Sequence, residues 1–164
     1  MGTIKDFILG RQIKIYDQKL GELTTKVRGN NLSKYYSWEA ELQLKGQERP
    51  TYFILDGNRI EPDENQKKCV YTIIDSIDEI INQMDELIKI QPNLHQIYKG
   101  NWKKEFFLES VIPHITADEK GFGTQFEISF RLISEYEDSK PGHSIGMIWD
   151  NGRLTDVEID FKSL

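Results

Sequence analysis

The stretch 63-DENQKKCVYTIIDSIDEIINQMDELIKIQ-91 carries apolar side chains at steps of three and four residues. This spacing places them on one face of a helix and predicts an amphipathic helix from about Asp63 to Gln91. Pro62 and an acidic first turn are typical of a helix start, and Pro92 blocks continuation. At 1.5 Å per residue the helix would extend roughly 40 Å, enough to cross a whole sheet.

Strand patterns precede this helix. Trp38–Lys45 alternates strictly between apolar and polar residues, which is typical of a strand with one buried face. The loop 46–50 separates it from 51-TYFILDG-57, so the two predict a hairpin. Further upstream, Ile13–Tyr16 and Glu22–Val27 predict another strand pair.

Strand patterns also follow the helix. The segment 125-QFEISFRL-132 alternates as cleanly as Trp38–Lys45, and 140-KPGHSIGMIWDNGRLTDVEID-160 predicts a final hairpin. Between them, 94-LHQIYKGNWKKEFFLESVI-112 shows only a weak pattern that favours a short helix near its start. The sequence therefore predicts one α+β domain over residues 1–164. Its antiparallel sheet is built from N-terminal and C-terminal strands, with one long central helix packed on one face.

The register of the final hairpin decides where its charges lie. A two-residue Asn151-Gly152 turn would pair Met147 with Asp156 and so place charge on the core face. A three-residue loop pairs Ile145 with Val157, Met147 with Thr155 and His143 with Ile159. Because a one-residue slip inverts every side chain, amphipathicity favours this second register. It places His143 on the apolar face, opposite to Asp156, Glu158 and Asp160.

Bulk composition excludes several classes of protein. A net charge of −6 opposes binding to nucleic acid or to anionic membranes, both of which require a basic surface. No window approaches 18 uninterrupted apolar residues, and the N-terminus lacks a signal-peptide pattern. The single cysteine, Cys69, excludes an internal disulfide and fits the reducing cytosol, so we expect a cytoplasmic protein.

Motifs that carry chemistry are scarce. His95, His114 and His143 have no metal-ligand spacing, and neither a phosphate-binding loop nor a nucleophile elbow is present, so we expect no metal and no cofactor. For His143 two interpretations stay open. One is a packed imidazole bonded to backbone, and the other is a general base in a small hydrolase.

The carboxylates of the strands are more suggestive. If the apolar side chains face the helix, an acidic row lies on the other sheet face, offset by Lys45, Arg131 and Arg153. Its members are Glu39, Glu41, Glu127, Asp156, Glu158 and Asp160. One interpretation is a solvated face that maintains solubility. The other is electrostatic complementarity to a basic protein partner.

Several segments together resemble a known group of proteins. They are Leu20–Leu23, 37-SWEAELQLKG-46, the long helical stretch and 142-GHSIGMIWDNGRLTDVEI-159. From about Asp17 onward the chain resembles a family of small bacterial cytosolic domains of unknown function. Similar domains often lie beside toxin–immunity loci. The segment after the long helix departs from the pattern, and the resemblance implies no catalytic residues.

Two hypotheses follow. The first is a non-enzymatic binding domain, such as an immunity protein, that neutralises a cognate toxin through Glu39, Glu41, Asp156, Glu158 and Asp160. The second is a small hydrolase with His143 as its base and an acid from residues 101–120. The sequence favours the first hypothesis and leaves the oligomeric state open.

Overall fold

The computed structural model describes residues 10–28, 35–90, 102–113, 125–133, 144–150 and 153–160. The strands are β1 (Arg11–Asp17), β2 (Gly21–Val27), β3 (Tyr36–Leu42), β4 (Thr51–Gly57), β5 (Phe106–Pro113), β6 (Gln125–Leu132), β7 (Ser144–Asp150) and β8 (Arg153–Asp160). The helices are α1 (Glu64–Asp75), α2 (Ile77–Ile90) and the short α3 (Trp102–Glu105). The α+β class is thereby confirmed, as are the strand pairs that precede the helices.

One eight-stranded sheet contains all of these strands, in the spatial order β1 to β8 that they follow along the chain. Neighbouring strands are antiparallel except β4 and β5, which are parallel. The prediction of an antiparallel sheet therefore holds within each half of the sheet and fails at the centre. The physical reason is the connection between β4 and β5, because a crossover that contains helices returns the chain in the same direction.

An apolar row crosses the sheet and explains why the strands assemble. From β1 to β7, the paired positions of this row are Ile15, Leu23, Ala40, Phe53, Val111, Ile128 and Met147. Ile15 is partly buried, and the other six have at most 3% of their surface exposed. Cys69, Val70 and Ile73 of α1 and Ile80 and Met84 of α2 belong to the same core. The helices thus lie on this face of the sheet, as the periodicity predicted.

The parallel junction is short. Only Tyr52 with Ser110 and Phe53 with Val111 are paired between β4 and β5. Side chains extend it, because the Thr51 hydroxyl donates to the carbonyl of Leu108 at 2.9 Å and the Gln47 side-chain oxygen accepts from the Leu108 N–H at 2.9 Å. Such bonds satisfy backbone groups that the short ladder leaves unpaired.

At the other end of β4, a buried glutamine of α1 also uses its side chain to satisfy a backbone group of the strand. The Gln66 side-chain oxygen accepts from the Asp56 N–H at 2.6 Å, and its amide donates to the Asp56 carboxylate at 3.2 Å. Asp63 caps α1 by accepting from the N–H groups of Asn65 and Gln66 at 2.9 Å and 3.0 Å. The predicted helix start is therefore confirmed, and it is tied directly to β4.

The single long helix is not confirmed, since α1 ends at Asp75 and α2 begins at Ile77. Ser76 between them has φ −105° and ψ 13°, and its N–H bonds to the carbonyls of Thr72 and Ile73. Its own carbonyl accepts from the N–H of Ile80 at 3.0 Å. Aspartate and serine compete for local backbone bonds and weaken a helix interior. The apolar stripe hid this break because it continues across it.

The register of the final hairpin was also predicted wrongly. Asp150 pairs with Arg153 and Trp149 with Leu154, which is the two-residue turn that amphipathicity had disfavoured. An irregularity between Ile148 and Trp149 then shifts the ladder, so that Ile145 pairs with Ile159. Met147 likewise pairs with Val157 rather than with Thr155 or Asp156. A bulge of one residue restores the match of apolar positions that the tight turn alone would destroy.

A polar network ties the β1–β2 turn to α1. The Asp17 carboxylate accepts hydrogen bonds from the Tyr71 hydroxyl and from the N–H groups of Lys19 and Leu20. Lys19 forms an ion pair with Asp75 at 2.6 Å, and its ammonium lies 5.3 Å from the centre of the Tyr71 ring. Burial raises the pKa of Tyr71, and the bond to Asp17 raises it further. These hydrogen bonds and the ion pair fix the β1–β2 turn against α1.

Candidate functional site

The candidate site is the sheet face that points away from the helices, here called the outer face. Strand alternation places Glu39 and Glu41 of β3 on it, and both are exposed. Glu39 lies between Thr24 of β2 and Ile54 of β4. Among the described residues neither glutamate has an ion pair.

The β8 carboxylates occupy register positions at the far edge of the sheet. Asp156 pairs with Ile148, Glu158 with Gly146 and Asp160 with Ser144. By register these positions belong to the outer face. The β7 partner of each one lies two residues further along the chain than the partner that the predicted register gave. The pairing predicted for His143 fails with the same shift, because Ile145 is the partner of Ile159.

The five predicted partner-binding residues do not form one cluster. Four strands separate β3 from β8 in the sheet. At about 4.8 Å per strand, Glu39 and Asp156 are separated by about 24 Å across the sheet. Any partner that contacts both groups must therefore extend across most of the outer face.

The cations expected to offset this acidity differ in their positions and in their ion pairs. Arg131 is on the outer face and donates to Glu109 at 2.7 Å, with both side chains 24% exposed. Lys14, which was not among the expected cations, is bonded to Glu22 at 2.7 Å. Lys45 is in the turn beyond β3. Arg153 is the first residue of β8.

Three isoleucines on the outer face were missed by sequence analysis. Ile54 pairs with Glu39, and Glu127 pairs with both Ile112 and Ile148. All three isoleucines are partly buried. Because 51-TYFILDG-57 is apolar without alternation, and β5 had not been assigned, nothing in the sequence separated these residues from the core. The outer face thus carries three isoleucines between the glutamates of β3 and the β8 edge, with Glu127 among them.

A cleft of about 540 Å³ lies at one end of the sheet. Its apolar lining includes Leu44, Ile77, Ile81, Phe107 and Phe130, and its charged lining comprises Lys45, Glu48, Asp78, Lys103 and Lys104. A second depression of about 660 Å³ on β1–β3 is lined by Thr24, Lys26, Ser37 and Glu39, among others.

The remaining side chains that could react or bind a metal ion are Cys69, the three histidines and the carboxylates. Cys69 is free and 4% exposed, and burial raises the pKa of its thiol to about 11, so it is a packed side chain. His95, His114 and His143 lie outside the described residues. Within the described ranges, no group of three His, Cys, Asp or Glu side chains is arranged to hold a metal ion.

Within that same part of the chain, no helix has the length and apolar character needed to cross a membrane. In the comparisons with known proteins, no family model, no curated protein and no solved structure matches this chain.

Proposed function

We propose that this chain is a non-enzymatic protein-binding domain that acts as an immunity protein and neutralises a cognate toxin through its outer face. The observation that carries the proposal is the exposure of Glu39 and Glu41, without an ion pair among the described residues, beside the partly buried Ile54. Asp156, Glu158 and Asp160 would extend the contact at the β8 edge.

The size of the outer face supports a protein partner. Eight strands at about 4.8 Å spacing and about 3.4 Å per residue give a surface of about 34 Å by about 24 Å for seven-residue strands. That is about 800 Å², which is the area that each partner buries in a standard interface. A small ligand would need a more enclosed site.

The sign of the charge supports a basic partner. Lys14 and Arg131 are each bonded to a carboxylate of this chain, so they do not neutralise Glu39 and Glu41. An acidic face accelerates encounter with a basic protein and suppresses encounter with acidic ones. The resemblance to domains that lie beside toxin–immunity loci supports the same class of partner, with the cytoplasm as the place where a toxin would be intercepted.

Co-expression with the protein encoded by the neighbouring gene tests this proposal. We expect that the neighbouring protein alone arrests growth and that co-expression of this chain restores growth. The double variant Glu39→Lys/Glu41→Lys should lose protection, whereas Glu48→Lys/Glu79→Lys, which reverses two exposed charges on a loop and a helix, should retain it. Full protection by the first variant, with both variants equally folded, would remove the role proposed for these glutamates.

A further inference from the structure

The β1 strand forms one edge of the sheet, because β2 is its only strand partner in the part of the chain that the structure describes. Seven consecutive residue pairs join β1 to β2 without a register shift, and β1 contains no proline. Natural edge strands commonly resist pairing with another chain through a bulge, a proline or charged side chains. Of these three, β1 has only the charges of Arg11, Lys14 and Asp17, so its open side can extend a regular ladder.

The core face of β1 is left partly exposed at this edge. Ile13 and Ile15 are partly buried, whereas Leu23 and Ala40, which follow Ile15 in the same row across the sheet, are 0% and 3% exposed. On the opposite face of β1, Tyr16 is 81% exposed. A strand added beside β1 would remove further apolar surface of both isoleucines from water, which favours association.

The sequence of β1 is complementary to a second copy of itself. Antiparallel pairing of two copies about a twofold axis perpendicular to the sheet keeps both core faces on the same side. Among the symmetric registers that match core-face positions with core-face positions, only the one centred on Lys14 pairs all seven residues. It places Arg11 opposite Asp17 of the second copy, and Ile13 opposite Ile15 of the second copy.

The charges of β1 match in this register. Arg11 is exposed and has no ion pair among the described residues, so its guanidinium can reach the Asp17 carboxylate of the second copy. That carboxylate accepts three hydrogen bonds within its own chain, and its oxygens offer about four acceptor sites, so one site remains. Lys14 faces Lys14 of the second copy, but each is bonded to its own Glu22 at 2.7 Å, which offsets their repulsion.

The other edge strand, β8, does not match itself in this way. It carries Asp156, Glu158 and Asp160 at alternate positions. Its two longest symmetric registers are centred on Asp156 and on Val157. The first places Asp156 opposite its own copy, and the second places Asp156 opposite Glu158. Like charges directly opposite each other destabilise a strand pair, so the β1 edge is the one that favours a second copy.

We propose that this chain forms a twofold homodimer in which two copies of β1 pair and two eight-stranded sheets become one. The dimer needs no partner of another kind, so it stands apart from the proposed function. The contact is about 24 Å long and one sheet thick, which is well below a standard interface, so the dimer dissociates on dilution. The outer faces of both copies lie on one side, with the two Glu39 positions five strand spacings, or about 24 Å, apart.

Sedimentation velocity tests the dimer. From about 1 µM to about 1 mM, the full chain should convert from a monomer to a dimer and to nothing larger. Arg11→Asp, which places carboxylates opposite each other, should weaken dimerisation at least about tenfold. Lys26→Asp makes the same charge change at an exposed position of β2 and should leave dimerisation within about twofold. A monomer at every concentration, assemblies larger than a dimer, or equal effects of the two substitutions would overturn the proposal.

Cysteine substitutions in a Cys69→Ser background test the register. Lys14→Cys places the two thiols directly opposite each other at the axis, with Cα atoms about 4.5–5.5 Å apart, which fits a disulfide. Gln12→Cys, on the same exposed face, places them about 14 Å apart. With oxidised glutathione, the first variant should form a covalent dimer on a non-reducing gel, and the second should stay largely monomeric. Any other pattern, including no linkage of either variant when circular dichroism shows both to be folded, would contradict pairing centred on Lys14.

Discussion

The hydroxyl of Thr51 donates a hydrogen bond of 2.9 Å to the carbonyl of Leu108, from the start of β4 to the middle of β5. Both residues are buried, with Thr51 0% and Leu108 1% exposed. Since only two residue pairs form the parallel ladder between these strands, this bond adds to a short backbone connection between the two halves of the sheet.

Thr51→Val should therefore destabilise the fold. The substitution keeps the shape of the side chain but leaves the Leu108 carbonyl buried without this donor, which costs about 1–3 kcal/mol. Urea unfolding followed by circular dichroism measures the change. Thr24→Val on the outer face, where the residue is partly exposed, should change the free energy of unfolding by no more than about 0.5 kcal/mol. Equal stability of the two variants would show that the bond contributes little.

Asp17 should make stability depend on pH in the acid range. Burial raises the pKa of Asp17, but bonds from the Tyr71 hydroxyl and the N–H groups of Leu20 and Lys19 outweigh burial and lower it below the usual value. The unfolded chain therefore binds a proton first as the pH falls below about 5, and the stabilisation present at neutral pH is lost as the pH falls through the folded-state pKa.

Asp17→Asn removes this contribution, so its urea midpoint should fall less steeply than that of the wild type between pH 5 and pH 3. At pH 7 the variant should be less stable by about 1–2 kcal/mol, because a charge-assisted acceptor becomes a neutral one. Glu48→Gln serves as the control and should retain the steepness of the wild type. A variant that lost stability in parallel with the wild type at every pH would contradict the assignment to Asp17.

Cys69 should be unreactive in the folded protein. With 4% of its surface exposed and burial raising the pKa of its thiol to about 11, little thiolate is present or accessible at pH 8. A thiol-exchange reagent such as DTNB should label the folded chain very slowly and should label one thiol promptly in urea. A Glu48→Cys substitution in a Cys69→Ser background should react promptly without urea. Prompt labelling of folded Cys69 would show that α1 opens readily.

The parts of the fold that sequence analysis predicted are those in which local pattern and burial agree. β3 and β6 alternate cleanly, and both strands were correctly identified. β5 was missed because Phe106, Phe107 and Leu108 are consecutive and all buried, and because a register shift between Leu108 and Ser110 breaks the alternation. A bulge changes which residues face the core, and no local rule locates it in advance.

For the candidate site, too, sequence analysis predicted the local properties and missed those that depend on strand order and pairing. The exposure of Glu39 and Glu41 followed from alternation, which is a local property. Their separation from Asp156 depends on the strand order, and four strands lie between them. The outward position of Ile54 depends on pairing with Glu39, which only the register reveals. Local pattern thus predicted the charge of the outer face but not its extent or the isoleucines that lie on it.

The affinity of the outer face for its partner is the most direct test of the central claim. Biolayer interferometry would compare the wild type, Glu39→Lys/Glu41→Lys and Glu48→Lys/Glu79→Lys for binding to the protein encoded by the neighbouring gene, at 50 mM and 300 mM salt. We predict that the first variant binds at least about tenfold more weakly at 50 mM salt, mainly through slower association, and that the difference shrinks at 300 mM. Equal affinities of the three proteins at both salt concentrations would contradict binding through the acidic outer face.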